Sequence, residues 1–550
     1  MKKISFTLLS LILTGALAMP AGNAYAQRKG EKPTPAATPH GNADYIKAEQ
    51  LKDYLYFVAS DEMEGRDTPS RGLDTTAKFL AMTLSRWGLK PAGDEGTYFQ
   101  RIMLRREKVV PAQTHAEING QNFSYGDDFL AQPVNGTASG PLIYVGHGFM
   151  FKAKDVDAYK GIDAKDKIVV IAGSGLPKGV SFSDFKGKQG VDWEEPFTNA
   201  IKHGAKGIIF AASFQTMANW DRSRHLDLER GSISVEKFRT QGGTAIPAIN
   251  ASPKMLTALF QGEKESGSVV FNRAAAGDPV EPFDFVATKK VSFTVTTGAE
   301  QVGTQNVVAV LEGGDPVLKS EYVAIGAHYD HVGIGNPVDG DAIYNGADDD
   351  GSGTVSVLAI AEAFARGPRP KRSILFIWHC GEEKGLWGSR YFTENPTIPI
   401  NQVITQLNID MIGRTKTEND KPGNQPLPRP GEVFLIGSKL MSTELGEISE
   451  AVNKSYLNLA FNYRYDDPKD PNRFFYRSDH FNYARKGIPI IFYMDGEHED
   501  YHRVTDSVEK IDYQNMEKIA RTIYATAWEL ANRATRPRVD KPLADEVTKP

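Results

Sequence analysis

Residues 327–354 read AHYDHVGIGNPVDGDAIYNGADDDGSGT and carry His328, Asp330, His331, Asp339, Asp341, Asp348, Asp349 and Asp350, interleaved with glycines. So many carboxylates repel one another in a bare loop, and a divalent cation resolves the conflict. The bland alternative is a solvated acidic loop. What weighs against it is the position of the remaining acids and imidazoles. The apolar run 373–378 ends in Cys380-Gly381-Glu382-Glu383, 403–409 ends in Asp410, and 489–494 leads to Asp495, Glu497, His498, Glu499, Asp500, Tyr501 and His502. Sheets built from such runs bind ligands beyond the carboxyl ends of their strands. Separate strand ends thus aim His and carboxylate groups at one rim.

Imidazole plus carboxylate, with no thiolate in reach, suits zinc, manganese or cobalt, and zinc is the usual choice for hydrolysis. Two His and three carboxylates are too many for one tetrahedral ion with an open position. They suit two ions roughly 3.5–4 Å apart that share a carboxylate and a water. In Glu382-Glu383 the neighbouring side chains diverge, so one can hold metal while the other faces the water as a general base. The single cysteine, Cys380, follows a buried run and reads as a small core residue; with one Cys no intramolecular disulfide can form.

The elements that must position these groups are strands at 306–311, 322–327, 373–378, 403–409, 433–436 and 489–494, with helical patterns between them and a closing helix at 515–534. This alternation predicts an α/β fold: a mixed, largely parallel central sheet covered by helices on both faces. Upstream, 43–60 is helical by pattern, and Asp74 is the expected N-cap of a helix over 75–87, closed by Gly88. From about 109 the texture changes to short strands, including 141–146, 167–172, 205–212, 247–250 and 269–272. The expected organisation is a signal peptide at 1–26, a flexible leader at 27–42, a catalytic domain split into 43–131 and 283–534, a β-rich insertion at 132–282, and a disordered tail at 535–550.

The signal peptide is read from Lys2 and Lys3 ahead of the apolar run 4–19 and from Ala24-Tyr25-Ala26 before Gln27. It implies export to the periplasm or the medium, with no stable membrane anchor after cleavage. A length of 550 residues implies roughly two to four domains. A net charge of −5 with 24% charged residues and no basic stripe gives no support for a nucleic-acid partner. No feature of the sequence sets the oligomeric state.

Five blocks resemble, in the same order, the two-zinc exopeptidases typified by secreted bacterial aminopeptidases and glutamate carboxypeptidase. They are His328-Tyr329-Asp330, Gly346 to Gly353, Gly381-Glu382-Glu383-Lys384-Gly385-Leu386, Asn408-Ile409-Asp410-Met411 and Tyr501-His502. The resemblance covers about residues 45–534. It implies two Zn2+ per chain, with Asp349 bridging, His328 and Asp410 completing one ion, and Glu383 and His502 the other. It further implies Glu382 as general base and then acid, Asp330 as the carboxylate orienting His328, Tyr501 as the oxyanion donor, and a cis peptide at Asp349-Asp350. Arg477, in Arg477-Ser478-Asp479-His480, resembles a residue at the rim of the substrate pocket. His331 and His480 receive no metal role and read as structural or supporting groups. The insertion resembles the protease-associated (PA) domain, a small lid without chemistry of its own.

The implied activity is an aminopeptidase acting on peptides. A glutaminyl-cyclase-like acyltransferase, a carboxypeptidase of the glutamate carboxypeptidase type and a non-catalytic receptor are the rivals.

Overall fold

The computed structural model describes residues 39–172, 175–239, 246–417, 427–544 and 547–548. The expected signal peptide and nearly all of the leader lie outside the described residues. Among those described, no helix is long and apolar enough to cross a membrane.

The apolar runs become the middle of a ten-stranded sheet. Its strands are β1 (Phe99–Val109), β2 (Ser232–Val235), β3 (Thr297–Leu311), β4 (Tyr322–His328), β5 (Ser373–His379), β6 (Val403–Ile409), β7 (Glu432–Ile436), β8 (Ala460–Asn462) and β9 (Ile490–Met494), in the spatial order β2-β1-β3-β5-β4-β6-β9-β7-β8; Lys90–Pro91 pairs with β3 off this path. The central four, β5-β4-β6-β9, run parallel, and antiparallel strands flank them. Parallel strands covered on both faces need apolar residues at successive positions, which is why β5 and β6 are buried along their whole length.

Alternation sends Val323, Ile325 and Ala327 to one core and Ala324 to the other. The first core packs against helices α1 (Ala48–Val58), α2 (Arg71–Arg86), α3 (Gly353–Arg366), α4 (Thr443–Ser455) and α5 (Tyr513–Asn532). The second packs against Trp387–Glu394 and His480–Ala484 through Phe392 and Phe481.

A separate hydrophobic core spans Val109 to Val295. It covers a six-stranded sheet, ordered Phe283–Asp284, Leu142–Tyr144, Ile168–Ala172, Gly207–Ala211, Ala248–Ala251 and Phe129–Ala131. A four-stranded antiparallel sheet lies beside it, built from Gln121–Ser124, His115–Ile118, Val291–Val295 and Gly136–Gly140. Between these strands the chain departs once, as β2, to pair with β1 at the edge of the main sheet.

Three local expectations are corrected. Helix α2 starts at Arg71, where Ser70 caps it by accepting from the Leu73 N–H at 3.1 Å. Asp74 lies in its first turn and accepts instead from Gln305 Nε2 at 2.9 Å. Residues 269–272 belong to a helix, Gly267–Ala275, because Ser266 caps its first turn and Val270 and Ala274 share one buried face four residues apart. In place of a disordered tail from 535, Arg536 pairs with Glu321, the Arg538 N–H reaches Glu444, and Leu543 packs on the second core.

One buried cation fixes the long loop after β4. Arg66 is fully buried and donates to four carbonyls: Tyr329 at 3.0 Å, Val58 at 2.8 Å, Asn345 at 2.7 Å and Gly346 at 2.8 Å. It thereby ties together the two ends of the loop that carries the acids. Burial pulls its pKa down, while Asp350, Asp330, Asp349 and Asp506 push it back up.

Removing this guanidinium leaves several buried carbonyls without donors, at roughly 1–3 kcal/mol each. Arg66→Met is therefore expected to destabilise the fold by at least about 3 kcal/mol in urea unfolding, and a loss below about 1 kcal/mol would contradict this role.

Candidate metal centre

His328 closes β4, Glu382 and Glu383 follow β5, Asp410 follows β6, and His502 lies beyond β9, so the topology alone brings these groups to one rim. The loop before α3 completes the set. Ala347–Ser352 forms a π-helical turn in which Asp348, Asp349 and Asp350 are all buried, and the Asp349-Asp350 peptide is cis.

Each of the three aspartates has a different task. Asp350 accepts from the N–H groups of Gly353 (2.8 Å), Met411 (3.1 Å) and His328 (3.2 Å), joining three segments. A Cβ on Gly353 would stand 2.3 Å from that carboxylate, so the glycine is required by the close approach. Asp348 accepts from the Gly413 N–H at 2.7 Å and faces His498 Nε2 at 3.1 Å. Asp349 receives no backbone donor at its carboxylate. Its own N–H, with that of Asp348, donates to Asp506 at 3.1 and 3.0 Å.

The Asp349 oxygens are thus left for other partners. Oδ1 lies 3.3 Å from His328 Nε2, and that nitrogen lies 3.5 Å from Asp410 Oδ1. Oδ2 lies 3.1 Å from His502 Nε2, which is 2.9 Å from Glu383 Oε2. Two donor groups, His328/Asp349/Asp410 and His331/Asp349/Glu383/His502, therefore share one carboxylate. Among the described residues, neither His328 Nε2 nor His502 Nε2 has a hydrogen-bond partner despite these short distances. Buried, orphaned nitrogens converging with carboxylate oxygens fit divalent cations held by N/O ligands.

All five sequence-predicted ligands, His328, Asp349, Glu383, Asp410 and His502, are brought together. Glu382 belongs to neither group; its Oε2 is 3.9 Å from His328 Nε2. Burial pushes its carboxyl well up, opposed by His328 and reinforced by Glu383 and Asp410. Burial would also raise Asp349, but the His328 and His502 contacts outweigh it and hold its pKa well below the usual value. Asp330 lies against His328 chiefly through its backbone: the carbonyl is 3.1 Å from Nδ1, the carboxylate 3.6 Å, and Oδ1 accepts from the Glu382 N–H at 3.1 Å. Tyr501 stacks on His502 with ring centroids 3.9 Å apart, and burial together with Asp349 and Glu383 raises its pKa, keeping the hydroxyl a donor. Arg477 pairs with Glu497 and reaches within 3.4 Å of the Tyr501 hydroxyl.

Arg66 and Asp506 escaped the sequence reading, and His498, named among the groups after 489–494, was given no role of its own. Asp506 follows His502 closely enough to be noticed, whereas nothing marks Arg66, whose partners are distant carbonyls. His480 is structural: buried, 2.8 Å from the Phe475 carbonyl and stacked on Phe492, with a pKa pushed down to about 3 by burial. Cys380 is buried in the first core.

Residues 306–527 match peptidase family M28. The matched stretch contains every residue of the two donor groups. A probable leucine aminopeptidase of Arthroderma benhamiae is 26% identical over 225 residues, 39% of this chain and 56% of that protein. A probable zinc metalloprotease of Leptosphaeria maculans is 26% identical over 311 residues, 50% of this chain and 69% of its own length. The chain thus spans little more than half the length of the first of these relatives. In fold, the chain is similar to an aminopeptidase from Aneurinibacillus sp. strain AM-1, with a TM-score of 0.52 at 17% identity over 92% of this chain and 98% of that one.

Because Asp506 holds the backbone of Asp349, the residue common to both donor groups, Asp506→Ala is expected to weaken divalent-metal binding about 10–100-fold in chelator competition, with the far-UV spectrum retained. Unchanged affinity would remove Asp506 from the centre.

Proposed function

We propose that this chain is a zinc-dependent aminopeptidase that binds two zinc ions and removes N-terminal residues from peptides. The observation that carries the reading is the division of the Asp349 oxygens between two imidazole-containing donor groups. His328, Asp349 and Asp410 would hold one ion, and Asp349, Glu383 and His502 the other. Zinc held there supplies Lewis acidity, polarising a carbonyl and acidifying a water. Glu382 stands free beside His328, in position to take a proton from that water and return it to the leaving amine. Tyr501 donates to the oxyanion. The names of the curated relatives support zinc and peptide hydrolysis.

Beside the donor groups a cleft is floored by Met411, Phe474, Phe492 and Met494, with Arg477 and Glu497 lining it. This floor fits an apolar side chain. The Arg477–Glu497 pair neutralises the cation that a free C-terminal carboxylate would need, which favours aminopeptidase over carboxypeptidase. A complete second donor group disfavours a one-ion acyltransferase. We read residues 132–282 as a PA-like insertion and residues 1–26 as an export signal.

Glu382→Gln is expected to retain both ions and lose roughly 10²–10⁴-fold in kcat, because it removes the proton carrier and no ligand. A variant with wild-type turnover would exclude Glu382 as the base.

Leucyl- and other apolar aminoacyl-nitroanilides should be hydrolysed, N-blocked peptides spared, and a chelator should abolish turnover until zinc is restored. Cleavage of N-blocked substrates from their carboxyl end would overturn the aminopeptidase reading.

A further inference from the structure

His331 is three residues beyond His328, on the loop and not on the strand, and the exopeptidase resemblance gives it no role. Its ring is completely buried, and neither nitrogen has a hydrogen-bond partner among the described residues. Nδ1 stands 2.9 Å from Glu383 Oε1 and 3.7 Å from Asp349 Oδ2. At 2.9 Å an aligned N–H would bond to Oε1; Nδ1 does not, and Oε1 is itself left without a partner. His502 Nε2 stands in the same relation to the other oxygen, Oε2, at 2.9 Å, again without a hydrogen bond. The two imidazoles therefore flank Glu383 symmetrically, their rings 5.5 Å apart and inclined at 77°.

The backbone is built to seat this ring. The His331 N–H donates to the Arg66 carbonyl at 3.2 Å. At Gly346, where φ is +58°, a Cβ would come within 2.5 Å of His331 Cγ, so a side chain there would displace the imidazole. Packing alone would be satisfied more cheaply by an apolar residue, because a buried imidazole with both nitrogens orphaned carries a desolvation penalty.

We infer that His331 is a metal ligand, the fourth protein donor to the ion held by Asp349, Glu383 and His502. The inference rests on the two-ion reading above and makes the two ions unequal. One is enclosed by four protein donors, the pattern of a closed, tightly held zinc; the other has three, His328, Asp349 and Asp410, the pattern that leaves a position for water or substrate. Glu382, whose nearest imidazole is His328, lies on the three-donor side.

The test uses the full chain stripped with chelator and reloaded with zinc. X-ray absorption of the wild type should give three imidazoles shared between two ions, and His331→Ser should give two. Competition with a chromophoric chelator should show affinity at one of the two sites falling at least ~10-fold in His331→Ser. His331→Asn, which keeps an N–H near the position of Nδ1, should bind as weakly as the Ser variant if His331 is a ligand. Recovery of wild-type affinity in the Asn variant, or only two imidazoles in the wild type, would overturn the assignment. The wild-type spectrum decides even if the variants fail to fold. A wild type that binds a single ion would instead overturn the two-ion reading itself.

Discussion

The structure depends on accommodating a dense set of carboxylates where water is excluded. A lone ionised carboxylate in such a place would take up a proton, so each must be given donors, a counter-charge or a cation. The chain distributes these unequally. Asp350 takes three backbone N–H groups and Asp348 takes one together with the His498 ring, so both serve the framework. Asp506 holds the backbone on which Asp349 rides, and Asp349 itself keeps both oxygens for the imidazoles. The shared carboxylate of Asp349 is thus held in place by neighbours whose hydrogen bonds are satisfied, while its own oxygens face the imidazoles.

The same economy explains Arg66. A buried guanidinium beneath several aspartates would ordinarily form ion pairs with them, yet every hydrogen bond it makes goes to a carbonyl. Its charge acts through space on Asp350, Asp330, Asp349 and Asp506, while its donors fold the loop. Had it bonded to Asp349, one oxygen of the bridge would have been consumed. Backbone tethering with through-space charge stabilises the acids without competing for their lone pairs.

The strands and the five residues that converge at their ends were legible in the sequence because they follow a local rule: an apolar run long enough for a covered parallel strand, then a His or an acid at its end. What was not legible depends on distant partners. Arg66 is an unremarkable Arg until it meets carbonyls from Val58 and from positions 329–346. His331 faces the other half of the Asp349 carboxylate from His328, and that placement depends on how the loop returns at Gly346. The helix at Gly267–Ala275 looked like a strand because Val269, Val270 and Phe271 favour extended backbone, and the Ser266 cap outweighed that preference. Residues after 535 looked disordered because their charged partners, Glu321 and Glu444, are far away in the chain.

The segment that builds the second core is bound to the main sheet more intimately than two linkers would require. It lends β2 to the edge of β1, and β1 continues at Val109 into the second core, as does the chain after Val295. Phe238, just after β2, lies under the Arg390 guanidinium at 3.9 Å, and Arg230, just before it, donates to the Ile334 carbonyl at 2.6 Å. Ile334 belongs to the hairpin Gly333–Val338/Asp341–Tyr344, which leaves directly from the His328–His331 segment. A displacement of this segment relative to the sheet would therefore have to break the β1–β2 ladder or be felt by this hairpin. The β1–β2 ladder and the Arg230–Ile334 hydrogen bond thus tie the segment of the second core both to the main sheet and to the hairpin that follows His331.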